Sequence, residues 1–237
     1  MTQSLRPAEI PPRRPFKSRG SFVIRCEGCR LPALNCICPY QVQAKSRARF
    51  WLITHSLEHH KPTNTGRLIG DCLPYTEVFS WARTEPDPRL LEHLKDERFQ
   101  PFLIFPDDQP DYAERVVNFE DASCSARIPV FVILDGTWRQ ARRMFRQSPY
   151  LATLPILPLH TDRLTRYTLR KPASPSHLCT AEVAVELLRL ARETQAANVL
   201  DDYFMAFNDS YAASRVHRKL EEESPAMQRL RQLKRES

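Results

Sequence analysis

The chain has 237 residues, 42% of them hydrophobic, and a formal charge of +7. That is enough apolar material for one α/β domain with small additions, and no run approaches the roughly 18 apolar residues of a membrane span. The Arg- and Pro-rich start has no apolar signal-peptide core, so a cytoplasmic, reducing location is the expectation, and the basic balance suits a polyanion such as nucleic acid.

Residues 1–20 hold five Lys or Arg, one Glu and four prolines. They read as a disordered basic arm that could lie along phosphates or stand as an inert terminus. Residues 21–45 contain four of the seven cysteines, as Cys26-x2-Cys29-x6-Cys36-x-Cys38. An odd total without a secretion signal argues against a disulfide framework. Four thiolates so crowded can close a tetrahedral shell around one Zn²⁺, with Pro32 and Pro39 stiffening the turns; the alternative is four unligated thiols in a loop. A closed sulfur shell leaves no open position, so such a metal is structural.

From residue 46 to 198 short apolar runs alternate with helical patterns. The runs at 50–54, 77–80, 102–105, 130–134 and 154–159 predict strands, and helical patterns fall near 88–98, 110–118 and 138–147. The expectation is an α/β fold, a mostly parallel sheet with helices on both faces. From Thr180 to about residue 195 the spacing of Val183, Leu187, Leu190 and Thr194 predicts a helix, with Thr180 as its cap and Glu182 suited to its positive end. A second helix is predicted over 200–222, followed by a mobile charged tail over 223–237. None of the 5 glycines falls in a G-x-G-x-x-G or G-x-x-x-x-G-K pattern, which excludes the usual nucleotide cradles.

In an open parallel sheet, ligands bind beyond the carboxyl ends of the strands. Unusual residues stand there repeatedly: His55 to Glu58, then Thr63-Asn64-Thr65-Gly66-Arg67, then Pro106-Asp107-Asp108, then Asp135-Gly136-Thr137-Trp138, then Tyr167 to Arg170-Lys171. Asp135 directly follows an apolar strand and precedes a glycine turn, so it either projects a carboxylate at the sheet's rim or caps the next helix. Trp138 offers a stacking face for a base or an adenine ring, or fills the core. Thr63 to Arg67 reads as an ordinary helix cap or as an oxyanion grip.

Taken together, these segments resemble the DTW-domain family, named for an Asp-x-Thr-Trp motif that stands here as Asp135 to Trp138. The cysteine set, His55-x2-Glu58, Asn64-Thr65-Gly66-Arg67, Phe105-Pro106, Arg170-Lys171-Pro172 and Leu178-Cys179-Thr180-Ala181-Glu182 belong to the same resemblance, which covers roughly residues 21–205. It implies a SPOUT-like domain over 46–222 with a C-terminal knot, beside a small zinc-binding subdomain over 21–45. It also implies a tRNA-uridine aminocarboxypropyltransferase acting on a variable-loop uridine with S-adenosylmethionine as donor. In that case Asp135 helps remove the N3 proton, directly or by orienting the base, or else serves as a ligand to the donor. Phe105, Pro106, Leu134, Gly136, Thr137, Trp138, Leu159 and Tyr167 contact the cofactor, while His55, Asn64, Thr65, Arg67, Arg170 and Lys171 contact the substrate. Competing readings are a SPOUT-like RNA methyltransferase and a non-catalytic zinc-bearing RNA-binding protein.

Overall fold

A computed structural model describes residues 23–122, 126–169 and 177–236. Five strands build one sheet: β1 (Arg49–Thr54), β2 (Thr76–Ser80), β3 (Phe99–Ile104), β4 (Ile128–Asp135) and β5 (Ile156–Leu157). Their order is β2-β1-β4-β3-β5 and every pairing is parallel. Between and after them lie α1 (Gly66–Cys72), α2 (Pro88–Lys95), α3 (Phe119–Ala122), α4 (Trp138–Arg146), α5 (Thr180–Leu190), α6 (Thr194–Arg215) and α7 (Pro225–Glu236). The α/β architecture read from the alternating runs is the one formed.

Strand alternation divides the core in two. Phe50, Leu52, Phe102, Phe131 and Ile133 face α1, α5 and α6, whereas Trp51, Ile53, Leu103, Val130, Val132 and Leu134 face α2 and α4. The central strands β1 and β4 are covered on both faces and read as continuous apolar runs for that reason. β5 is shorter than the expected 154–159. Pro155 and Pro158 bracket it, and neither has an N–H to extend the ladder.

The helix expected from Thr180 to about 195 stops at Leu190. Arg192 takes a left-handed conformation (φ 61°), its N–H donates to the Arg189 carbonyl, and the Glu193 N–H donates to the Leu188 carbonyl. This is a Schellman closure built without glycine, so no sequence signal marks it. The helix expected at 110–118 is only a pair of short 3₁₀ turns over Pro110–Arg115, broken by a kink at Tyr112. The charged tail expected to be mobile forms α7, which buries Ala226, Met227 and Leu230.

The cysteine segment does not stand apart from this core. Leu31 and Ile37 are fully buried in the same cluster as α5 and α6. The Asn35 side-chain amide donates to Ser214 Oγ and the Arg218 carbonyl, and its oxygen accepts from the Leu220 N–H. Among the described residues no helix is long and apolar enough to cross a membrane. Residues 1–22, which include the basic arm, lie outside the described residues. Residues 170–176 lie outside them as well, and the expected C-terminal knot is not shown.

Candidate active site and thiolate cluster

The parallel register sets Thr54, the last residue of β1, beside Asp135, the last of β4. Thr54 Oγ1 donates to Asp135 Oδ2 at 3.3 Å, and Asn64 Nδ2 donates to the same oxygen at 2.7 Å. Thr180 Oγ1, in the first turn of α5, donates to Oδ1 at 2.7 Å. Asn64 is held at its other end too, since its Oδ1 accepts from the Arg67 N–H and so caps α1. The carboxylate lies so close to the start of α1 that a Cβ on Gly66 would stand 3.0 Å from its Cγ. Only glycine allows that approach.

Asp135 is 3% exposed. Burial pushes its carboxyl above the usual carboxylate range, and the charge of Glu58 adds to this; the three donors pull the other way. The alternative of a helix cap is not realised. Thr137 caps α4: its Oγ1 accepts from the Gln140 N–H, and Gln140 Oε1 accepts from the Thr137 N–H at 2.7 Å. This capping box is a reciprocal pair of bonds that leaves Asp135 free of the helix.

A cavity of about 570 Å³ opens over these strand ends. Asp135, Phe105, Pro106, Leu134, Gly136, Thr137, Trp138, Leu159, Tyr167, Asn64 and Thr65 all line it. Phe105 is fixed by stacking on Phe145 at 4.0 Å. The following turn is tied down by Tyr112, whose hydroxyl donates to the Pro106 carbonyl at 2.9 Å. Trp138 is half-buried rather than in the core, and its ring meets that of His177 at 4.7 Å. Tyr167 donates its hydroxyl to the Thr63 carbonyl at 2.5 Å, closing one wall.

The loop from β5 to residue 169 is held by Glu182. This fully buried carboxylate accepts from the Thr165 hydroxyl, the Arg166 N–H and the Cys179 N–H at 2.6, 2.6 and 2.9 Å. It therefore clamps the cavity wall to the start of α5 as well as completing that helix's cap. Thr180, expected as the cap, turns its hydroxyl to Asp135 instead, and Cys179 occupies the N-cap.

Two expected contacts do not reach the cavity. His55 sits behind it, stacked on Trp81 at 5.6 Å, with Nδ1 near the Gln140 amide. Arg67 lies one residue inside α1 and so falls on the face turned to α6, with its guanidinium 5.4 Å from the Phe207 ring centre. Arg170 and Lys171 lie outside the described residues. The sequence did not single out Glu58, buried in the cavity wall and paired with Lys61, as a site residue, nor Thr54 and His177. Glu58 was visible within the His55-x2-Glu58 spacing; Thr54 had no signal beyond its place at a strand end.

The four cysteines converge away from this cavity. Their sulfurs all lie within 4.8 Å of one another, with edges of 3.4, 3.6 and 3.7 Å for Cys36–Cys26, Cys26–Cys38 and Cys29–Cys36. A tetrahedral thiolate shell with bonds of about 2.3 Å has sulfur–sulfur edges of about 3.8 Å, so the set fits one metal ion. A Cβ on Gly28 would stand 3.0 Å from Cys38 Sγ, so the turn inside the C-x-x-C half has no room for a side chain.

Fold and site together define a parallel α/β protein with a cavity at the carboxyl ends of its central strands and a separate cluster of four cysteines. The chain belongs to the DTW-domain family, whose domain matches residues 23–212. It is 26% identical over 174 residues to tRNA-uridine aminocarboxypropyltransferase 2 of Drosophila melanogaster, covering 69% of this chain and 65% of that protein. Proteins of the same name from Macaca fascicularis and Mus musculus are each 23% identical over 192 residues, covering 78% of this chain and 59% of theirs. The chain thus spans less than two thirds of the length of these curated relatives. No solved structure matches it.

Proposed function

We propose that this protein is a tRNA-uridine aminocarboxypropyltransferase that modifies N3 of a variable-loop uridine. The observation that carries this reading is the Asp-x-Thr-Trp segment at the end of β4, which lines one cavity with both a buried carboxylate and an aromatic face. The cavity's 570 Å³ lies within the roughly 300–1,000 Å³ of small-molecule sites. The names of the distant relatives support the same reading.

S-adenosylmethionine, when bound, supplies an activated methylene beside its sulfonium, and passing the aminocarboxypropyl group to N3 leaves methylthioadenosine. Phe105, Leu134, Leu159 and Trp138 give an apolar wall that suits an adenine ring and keeps water out. Gly136 offers backbone groups beside it, and Thr137, whose own N–H and carbonyl are taken by Gln140 and Ala141, lines the same wall. Asn64 and Thr65 are polar groups fixed at the cavity floor that could grip a carboxylate or a phosphate. Asp135 takes the proton from N3–H, and burial, by raising its proton affinity, suits it to that weakly acidic imide. Thr54, Asn64 and Thr180 orient the carboxylate. The four cysteines would hold one Zn²⁺ in a structural role, closed to substrate.

The decisive experiment is incubation with unmodified tRNA and S-adenosylmethionine, followed by mass spectrometry of the nucleosides and the small product. Aminocarboxypropyluridine with methylthioadenosine is expected. A methylated nucleoside with S-adenosylhomocysteine would replace the reading with a methyltransferase. RNA binding without donor binding would make the protein a non-catalytic adaptor.

A further inference from the structure

The arginines packed between the loop after β5, α5 and α6 are saturated with carboxylates. Arg163 and Arg189 reach both Glu186 and Asp201, and Arg166 also reaches Asp201. α4 is built differently. It carries Arg139, Arg142, Arg143 and Arg146 and no acidic residue. Arg142 turns to Asp108. Arg139, Arg143 and Arg146 are exposed and make no ion pair among the described residues. Spaced i, i+4 and i+7, they form one ridge about 10 Å long.

Arg143 and Arg146, in the last turn, suit the helix dipole, but the row as a whole carries a cost. Like charges one turn apart repel, and Arg139 stands in the first turn, at the positive end of the helix dipole. The ridge is also oriented. Arg139 lines the cavity, so the row begins at the cavity's edge. The Arg143 guanidinium lies 5.8 Å from the Trp81 ring centre. That ring is fixed in turn by stacking on His55 and by an Nε1 bond of 2.9 Å to Ser148 Oγ.

We propose that Arg139, Arg143 and Arg146 are a phosphate-binding ridge that seats the RNA backbone beside the cavity. The inference rests on the reading that the substrate is tRNA. A chain of regularly spaced phosphates offsets the repulsion within the ridge, and the planar guanidinium fork matches phosphate oxygens. Seating the backbone along α4 brings a flanking nucleotide to the mouth at Arg139, so that a base can turn in toward Asp135.

The test is tRNA affinity as a function of salt, read by fluorescence anisotropy on the full chain. The variants are Arg143→Gln/Arg146→Gln, and the triple that adds Arg139→Gln. Lys95→Gln/Arg218→Gln/Lys219→Gln removes equal charge from exposed positions on other elements and serves as control. Each lost phosphate contact lowers the log–log salt slope by about 0.7–0.9, so the triple is expected to flatten it by about 2–3 and the double by about 1.5. The control is expected to stay within about one unit of the parent. Thermal melting checks that the variants are folded. A slope that falls no more in the triple than in the control overturns the ridge, and this includes the case where α4 serves an acidic protein instead. Because binding is read rather than product, the two readings fail separately. A parent that seats tRNA on the ridge yet makes no aminocarboxypropyluridine loses the reaction alone. A parent that makes the product while the triple keeps its slope loses the ridge alone.

Discussion

Asp135 holds its carboxyl inside the protein against three neutral donors, and among the described residues no cation is paired to it. Asp135→Asn keeps the shape. Its amide oxygen can still accept from Asn64 and Thr54, and the Thr180 hydroxyl can rotate to accept from the new NH₂. The expected result is a folded protein that binds donor and tRNA while single-turnover formation of aminocarboxypropyluridine falls about 10²–10⁴-fold. Rates within a few-fold of the parent would remove Asp135 from proton transfer. The raised carboxyl also sets a pH dependence. The ionised base becomes available only as pH climbs through the raised value, so the parent's rate should fall on its acidic limb above the usual carboxylate range, and the Asn variant should lack that limb. For stability the sign is opposite. A folded-state pKa above the unfolded one favours the fold at low pH, and that contribution is lost as pH rises through it. The melting temperature of the parent relative to the Asn variant should therefore improve on acidification.

At the scale of elements, one clamp shapes the site and a second closes the helical layer. Glu182 holds the loop after β5 against α5 through three donors, two of them backbone N–H groups. Glu182→Gln must turn an NH₂ toward one of those donors. Leaving a buried donor unpaired costs about 1–3 kcal/mol. Donor affinity measured by calorimetry should weaken with the loosened loop, and an unchanged affinity would show that the wall holds without the clamp. α7 is the second clamp. It packs Leu230, fully buried, against the rest of the helical layer, pairs Arg229 with Asp202 on α6, and reaches the Pro39 carbonyl through Lys234. Leu230→Ala should cost about 2–5 kcal/mol, or at roughly 2–4 °C per kcal/mol a fall of several degrees in Tm. A tail that did not pack would give no change in the melting curve.

On the scale of the molecule, the cysteine cluster and the sheet share one core. Cys29, Leu31 and Ile37 belong to the cluster of buried residues that includes Phe204 and Phe207 of α6. A metal held by the four thiolates should therefore stabilise the whole domain. Chelation, or Cys36→Ser, is expected to lower a single cooperative melting transition. A separate early transition, with the sheet and its helices melting where they did before, would show that the two parts fold independently.

The sequence by itself determined the class of fold, because β-branched and aromatic runs of strand length alternating with helical periods admit few other solutions than a parallel α/β sheet. It also placed the cavity's main features. Asp135, Phe105 and Tyr167 were legible as chemistry-bearing residues just past the strand ends, and the cysteine spacing was legible as a metal shell. Only the tertiary structure decided where side chains pointed. Thr54 and Thr180 acquired their role when parallel register and the docking of α5 brought them to one carboxylate from positions 81 and 45 residues away along the chain. Arg67 left the expected site because the first turn of α1 rotates it toward α6. α7 became ordered because its three buried apolar residues found a face on the helical layer, a partner that no local pattern in a charged tail reveals. Local sequence sets periodicity, end signals and spacing; direction and partnership are fixed by which elements the core brings together.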